Sequence, residues 1–133
     1  MRRSDQRRLA VFALYQHDLT GRELADLFGR DTTAFTRELA EQTLAARGAI
    51  DQILRANIAE GWTLERIAPL ERNILRVAVN ELVNRTDVPR EVAIDEAIEL
   101  AKSYCSVDTP KFVNGILGAI LRDLPAPAPE ADT

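Results

Sequence analysis

Residues 69–83, PLERNILRVAVNELV, constrain the fold more than any other stretch. Pro69 opens the segment, and proline suits a first helical turn because its missing N–H would be unpaired there anyway. Leu70, Ile74, Leu75, Val77, Ala78, Val79, Leu82 and Val83 then wrap most of a helical circumference. A helix apolar nearly all round has to be enclosed by other elements, so this one predicts a core helix. Against that background Arg72, Arg76 and Asn80, spaced by four, form one narrow polar stripe. Arg76 lies between Leu75 and Val77, which leaves two readings: a structural ion pair with a distant carboxylate, or a contact to a partner. Glu81 and Arg85 stand at i, i+4 and would add about 0.2–0.5 kcal/mol as a surface pair, or face a protein partner.

The rest of the chain also reads as helical, and no period-2 strand stands out. Ser4 is placed to cap a first helix running to about Leu19, with Gly21 ending it. A short helix spans 22–28. Thr32 or Thr33 caps a long third helix, in which Phe35, Leu39, Ala46, Ile50, Ile53 and Leu54 make one apolar stripe with Gly48 inside. Gly61 closes that element, and 62–67 reads as a loop and helical turn. After the core helix, Asp87 caps a helix from about Pro89 to Tyr104. Asp108 or Thr109 with Pro110 starts a last helix to about Leu124. The expectation is an all-α fold of about seven helices in one domain, 1–124. Two helical subdomains, 1–60 and 61–124, divide it near Gly61, and a Pro-rich disordered tail occupies 125–133.

A chain of 133 residues with 46% apolar and 29% charged residues is ordinary for a folded domain and excludes general disorder. No apolar run approaches a membrane span, and the first residues lack the apolar centre of a signal peptide, so a cytoplasmic location is expected. One cysteine, Cys105, cannot form an internal disulfide and reads as a packed or half-exposed helix-end residue. Net charge −4 and the lack of a long exposed apolar stripe favour a monomer. Asp18, Asp26 and Asp31 nevertheless offer acidic counterparts to the basic end of a second copy.

That basic end is pronounced. Residues 1–8 hold Arg2, Arg3, Arg7 and Arg8 against Asp5, giving +3; the whole chain carries −4, so the other 125 residues carry −7. Arginine pairs with phosphate in a planar fork, so a polyanion is one expected ligand. A frayed, solvated terminus is the alternative. Tyr15, in the same helix, offers a ring that stacks on a base or packs at a rim. Near the other end, Lys111 and Phe112 place a cation and an aromatic in the first turn of the last helix, a suitable place for phosphate and a stacked base. Asn114-Gly115 follows in a helix interior, where both are poor helix formers. A glycine tolerated there points to close approach by another backbone or a ligand, or merely to a helix crossing.

Catalysis has little to stand on. His17 is the only histidine, and one cysteine completes no zinc set. No glycine-rich phosphate loop or nucleophile elbow is present. Glu91, Asp95 and Glu96 read as a solvated helix face, and no metal, cofactor or enzymatic activity is expected.

In order, the words RR (7–8), ALYQ (13–16), ERNILRVAVNEL (71–82), DVP (87–89), VAIDEAIELAK (92–102) and KFVNGIL (111–117) resemble the NusB family of bacterial transcription antitermination factors, over about 7–121. The stretch from Gly21 to Ile58 matches only in helical character. The resemblance implies an all-α fold of two small helical subdomains. It implies binding of the single-stranded boxA element of nascent ribosomal RNA together with NusE, a small-subunit ribosomal protein. The complex joins RNA polymerase and other Nus factors to suppress termination. By position, Arg2, Arg3, Arg7, Arg8, Tyr15, Lys111, Phe112, Asn114 and Gly115 fall where the family meets RNA. Arg76, Glu81 and Arg85 fall where it meets NusE. Two departures stand out: Ser4, Asp5 and Gln6 interrupt the basic run, and Gly118 replaces an acidic residue common in the family. A helical protein–protein adaptor without RNA contact is the alternative function.

Overall fold

The computed structural model describes residues 1–126. Among them lie seven α-helices and one 3-10 turn: α1 (Arg3–Thr20), α2 (Leu24–Leu27), α3 (Ala34–Ala45), α4 (Arg47–Asn57), the turn Leu64–Arg66, α5 (Pro69–Asn84), α6 (Arg90–Tyr104) and α7 (Thr109–Asp123). The all-α expectation is met. Helix α5 is the hub: it packs on α1, α3, α4, α6 and α7, as a helix apolar on most of its surface must. Leu75, Val77, Val79 and Leu82 are buried along its length.

The expected long third helix is two. It breaks at Ala46 (φ −94°, ψ 7°), not at Gly48, which lies inside α4. The apolar stripe continues across the break, but its halves serve different neighbours. Phe35, Leu39 and Ala40 are buried on α3, which packs on α1 and α5, while Ile50 and Leu54 are buried on α4, which packs on α5 and α7.

Local signals account for most other ends. Gly21 adopts φ 72°, left-handed, and its N–H closes α1 on the His17 carbonyl at 2.9 Å. The Thr33 hydroxyl accepts from the Thr36 N–H and caps α3. Two expected caps act otherwise. Ser4 lies inside α1 and donates its hydroxyl to Glu96 Oε1 at 2.6 Å, and Asp87 pairs with Arg85 instead of capping α6. At the start of the expected disordered tail, the Pro125 carbonyl accepts from Arg90 at 2.8 Å; residues 127–133 of that tail lie outside the described residues.

Cross-helix pairs give the directions. Arg7 meets Glu81, while Asp18 meets Arg72 and Asn73, so α1 and α5 run antiparallel. Ser4 meets Glu96 and Phe12 meets Tyr104, so α1 and α6 run the same way. Thr109 donates to Glu71 at 2.7 Å, which brings the start of α7 to the end of α5 where α1 finishes.

The arginines of the α5 polar stripe are paired inside, whereas Asn80, fully buried, accepts from Asn84 through its Oδ1 and leaves its Nδ2 without a hydrogen-bond partner among the described residues. Arg76 forks onto Asp51 of α4 (2.9 and 3.0 Å) and also reaches Asp18 at 3.3 Å; Arg72 and Asn73 donate to the same Asp18 oxygen at 2.9 and 3.1 Å. Burial pushes the Asp18 carboxyl up, but the hydrogen bonds from Arg72 and Asn73 and both guanidinium charges outweigh it, leaving it below its usual 3.8. A carboxyl depressed in the folded state contributes stability above its unfolded pKa and loses it as pH falls through the folded one. Unfolding free energy of the wild type should therefore hold near neutrality and fall below about pH 4. The Asp18→Asn variant should be less stable at pH 7 and show a flatter acid limb, measured by denaturant titration across pH.

Candidate nucleic-acid interface

The N-terminal arginines are not equivalent. Residues 7, 10, 11 and 14 fall on one helical stripe, and Arg7, Ala10, Val11 and Leu14 are all buried. Arg7 is 3% exposed and grips Glu81, itself 1% exposed, through two hydrogen bonds of 2.6 and 2.8 Å. Its Nη1 lies 3.7 Å from Glu96 and makes no hydrogen bond among the described residues. This corrects two expectations together. Arg7 is not presented to a phosphate, and Glu81 is not presented to a partner, because each neutralises the other inside the α1–α5 seam.

Arg76 likewise takes the structural reading, since its guanidinium is enclosed between Asp51 and Asp18. Asp18 is thereby also removed as a counterpart for a second copy. Arg85 does not pair with Glu81. It turns to Asp87 at 2.9 Å and lies with its guanidinium carbon 5.0 Å from the Phe35 ring centre. The Arg85 hydrogen bonds hold the Asp87 carboxyl below its usual range, against the upward push of burial.

The remaining arginines stay outside. Arg2 and Arg8 flank Asp5 at 3.4 and 3.3 Å, and Arg3 lies 3.6 Å from Asp87 with its guanidinium over Phe35. All three are solvent-accessible surface pairs, worth about 0–1 kcal/mol each, so an incoming phosphate can replace the carboxylate. Arg2, Asp5 and Arg8 line a groove of about 290 Å³ between α1 and α6, with Glu96, Glu99 and Tyr104 on its far side. Arg8, Phe12 and Tyr15 follow one another along α1 at helical spacing, and Phe12 meets the Tyr104 ring edge-on at 5.0 Å. Tyr15 is half-buried, as a rim residue.

At the other end of this helix pair, Lys111, Asn114 and Gly115 are exposed on α7 and Phe112 is half-buried. A Cβ at Gly115 would meet nothing within 4 Å, so no neighbouring backbone explains the glycine; the surface there is open. Tyr15 stands one turn before Asp18, and Lys111 two residues beyond Thr109; both belong to the end of the molecule marked by Glu71 and Arg72. Arg2 and Tyr15 are about 20 Å apart along α1 at 1.5 Å per residue. Missed by the sequence reading were Asp5 as the carboxylate bridging Arg2 and Arg8, and the carboxylates that face α5. Position 7 carried a usable signal, because the apolar stripe of α1 extends back to it.

Other polar candidates have internal duties. The His17 ring nitrogen Nδ1 donates to the Arg22 carbonyl at 2.6 Å. Burial, with the Glu71 charge nearby, pushes the Cys105 thiol up to about 11, so almost no thiolate is present at neutral pH. No helix among the described residues is long and apolar enough to cross a membrane.

A compact set of helices with cations and aromatics outward and its inner charges matched defines an all-α binding module. The chain belongs to the NusB family, whose model matches residues 4–122. It is 38% identical to the transcription antitermination protein NusB of Symbiobacterium thermophilum, over 93% of this chain and 92% of that one. Identity to the protein of the same name in Frankia casuarinae is 55% over 84 residues, spanning 63% of this chain and 62% of the relative. Among solved structures, T. maritima NusB superposes with a TM-score of 0.84 at 32% identity, covering 92% of each chain. The NusB of a complex of antitermination factors NusB and NusE with double-stranded RNA gives 0.81 at 26% identity, covering 92% of this chain and 97% of that one.

Removing one partner of a buried pair strands the other charge. Arg7→Ala should therefore cost about 3–5 kcal/mol of stability, and the double variant Arg7→Met/Glu81→Leu should recover most of it. Thermal and urea unfolding of the single and double variants measure both.

Proposed function

We propose that this chain is a transcription antitermination factor, acting in the cytoplasm, that binds the boxA element of nascent ribosomal RNA together with NusE. The joint complex connects to RNA polymerase and the other Nus factors. The single observation that carries the RNA reading is the asymmetry of α1. Its inner arginine is neutralised in the core, while Arg2, Arg3 and Arg8 stay outside, held only by surface carboxylates that phosphate can displace. Family membership and the antitermination names of the relatives support the same role.

One strand following the α1–α6 side would meet Arg2 and Arg8 first, then Tyr15, about 20 Å from Arg2 along α1, and then the Lys111–Phe112–Asn114–Gly115 segment. Phosphates set the affinity and ring faces receive bases. The −7 carried by residues outside the first eight opposes a polyanion, so binding by this chain alone is weak and NusE strengthens it. For NusE, the exposed edge around Asp87 remains available, whereas Arg76, Glu81 and the largely enclosed Arg85 side chain act through the fold behind it.

Filter binding with boxA RNA, single- and double-stranded, with and without NusE, tests this reading. Neutralising Z phosphates of a single strand gives a log–log salt slope near −0.7Z. The Arg2→Ala/Arg8→Ala variant should bind more weakly, with a slope flatter by about one to two units and an unchanged melting temperature. If neither RNA form binds, with or without NusE, while NusE itself does, the chain is a protein–protein adaptor instead.

A further inference from the structure

The only tryptophan of the chain is not in its core. Trp62 is 58% exposed, just after the turn where Gly61 takes φ 91°. It lines an open groove of about 540 Å³ with Arg66, Ile67, Glu71, Asp108 and Phe112. Ile67 is buried and Phe112 half-buried, so the groove has an apolar floor beside an exposed indole. Arg66 and Lys111, both exposed, have no carboxylate within 4.0 Å among the described residues, unlike every arginine in positions 1–8.

We propose that this groove receives one unstacked nucleobase of the bound RNA, laid against Trp62 and Phe112, with its flanking phosphates outside near Arg66 and Lys111. The inference rests on the RNA reading above and extends it to a subsite that the N-terminal arginines do not reach. Three observations favour a base over a partner's apolar side chain. Phe112 lines the groove and shares a helical turn with Lys111, so the groove is continuous with the α7 segment assigned to RNA. Two flat rings on an open apolar floor suit a planar ligand, and stacking tolerates any base. The groove also holds acceptors. Asp108 is exposed and makes no helix-capping hydrogen bond, and Glu71 has one oxygen engaged by Thr109. Carboxylates there repel phosphate and accept from an exocyclic amino group, which favours adenine, cytosine or guanine over uracil.

Because Trp62 is the sole tryptophan, its fluorescence reports on the groove alone. BoxA RNA carrying an end label is titrated into the full chain with NusE present, following label anisotropy and tryptophan emission together. The expected result is quenching that saturates with the anisotropy, and its loss when one nucleotide position is made abasic. Trp62→Ala should weaken binding about tenfold with an unchanged salt slope, and Trp62→Phe should restore most of the affinity. Trp62 is exposed, so both variants should melt like the wild type. RNA bound at full affinity with unchanged emission overturns the proposal and leaves RNA binding intact. Quenching by NusE alone, with no further change on adding RNA, assigns the groove to a protein partner and also overturns it. No RNA binding at all defeats the antitermination reading, and this subsite with it.

Discussion

Charge pairing along α5 is the constraint on which the rest of the structure depends. A helix apolar on most of its circumference is drawn into the centre, and it takes its few polar side chains with it. Those groups are costly there unless matched, so opposite charges have to arrive from the surrounding helices. Glu81 receives Arg7, Arg76 receives Asp51, and Asp18 collects Arg72, Asn73 and Arg76. Helix α1 is thus pinned to α5 at two points eleven residues apart, about three turns. Apolar packing alone would tolerate small slides between such helices. Two directional pins do not.

The orientation fixed in this way determines what α1 shows to solvent. With Arg7 turned inward, Arg8 and the stripe through Phe12 and Tyr15 face the α6 side. The outer arginines are not bare: Asp5 and Asp87 hold them in exposed pairs that cost little to open. A net charge of −4 disfavours self-association, and surface pairs of this kind are weak enough for a competing anion to open them.

Much of this was legible in the sequence, for physical reasons. The 69–83 pattern could only be an enclosed helix, and Gly21, Thr33 and Pro110 act locally, so their effects stay near their own positions. Gly61 forms a turn, but α4 already ends at Asn57. The break at Ala46 was not legible, because no breaker marks it and the apolar stripe continues through it; only the different packing partners of α3 and α4 explain it. Pairing partners were also hidden. Arg7 and Glu81 lie 74 positions apart, and nothing local to Asp18 or Asp51 distinguishes them from surface acids. Adjacent residues Arg7 and Arg8 look alike as letters, yet a 100° turn of the helix puts one in the core and the other, half-buried, at the surface. Lys111, Asn114 and Gly115 stand exposed, but the Trp62 groove arises only when a turn, the start of α5 and the start of α7 meet.

The most direct test of this account is a structure of the chain bound to boxA RNA and NusE. The Arg7–Glu81 fork should be unchanged from its 2.6 and 2.8 Å distances, with Arg2 and Arg8 released from Asp5 and within hydrogen-bond reach of phosphate oxygens. An Arg7 side chain that leaves Glu81 to hold a phosphate would contradict the division between inner and outer arginines.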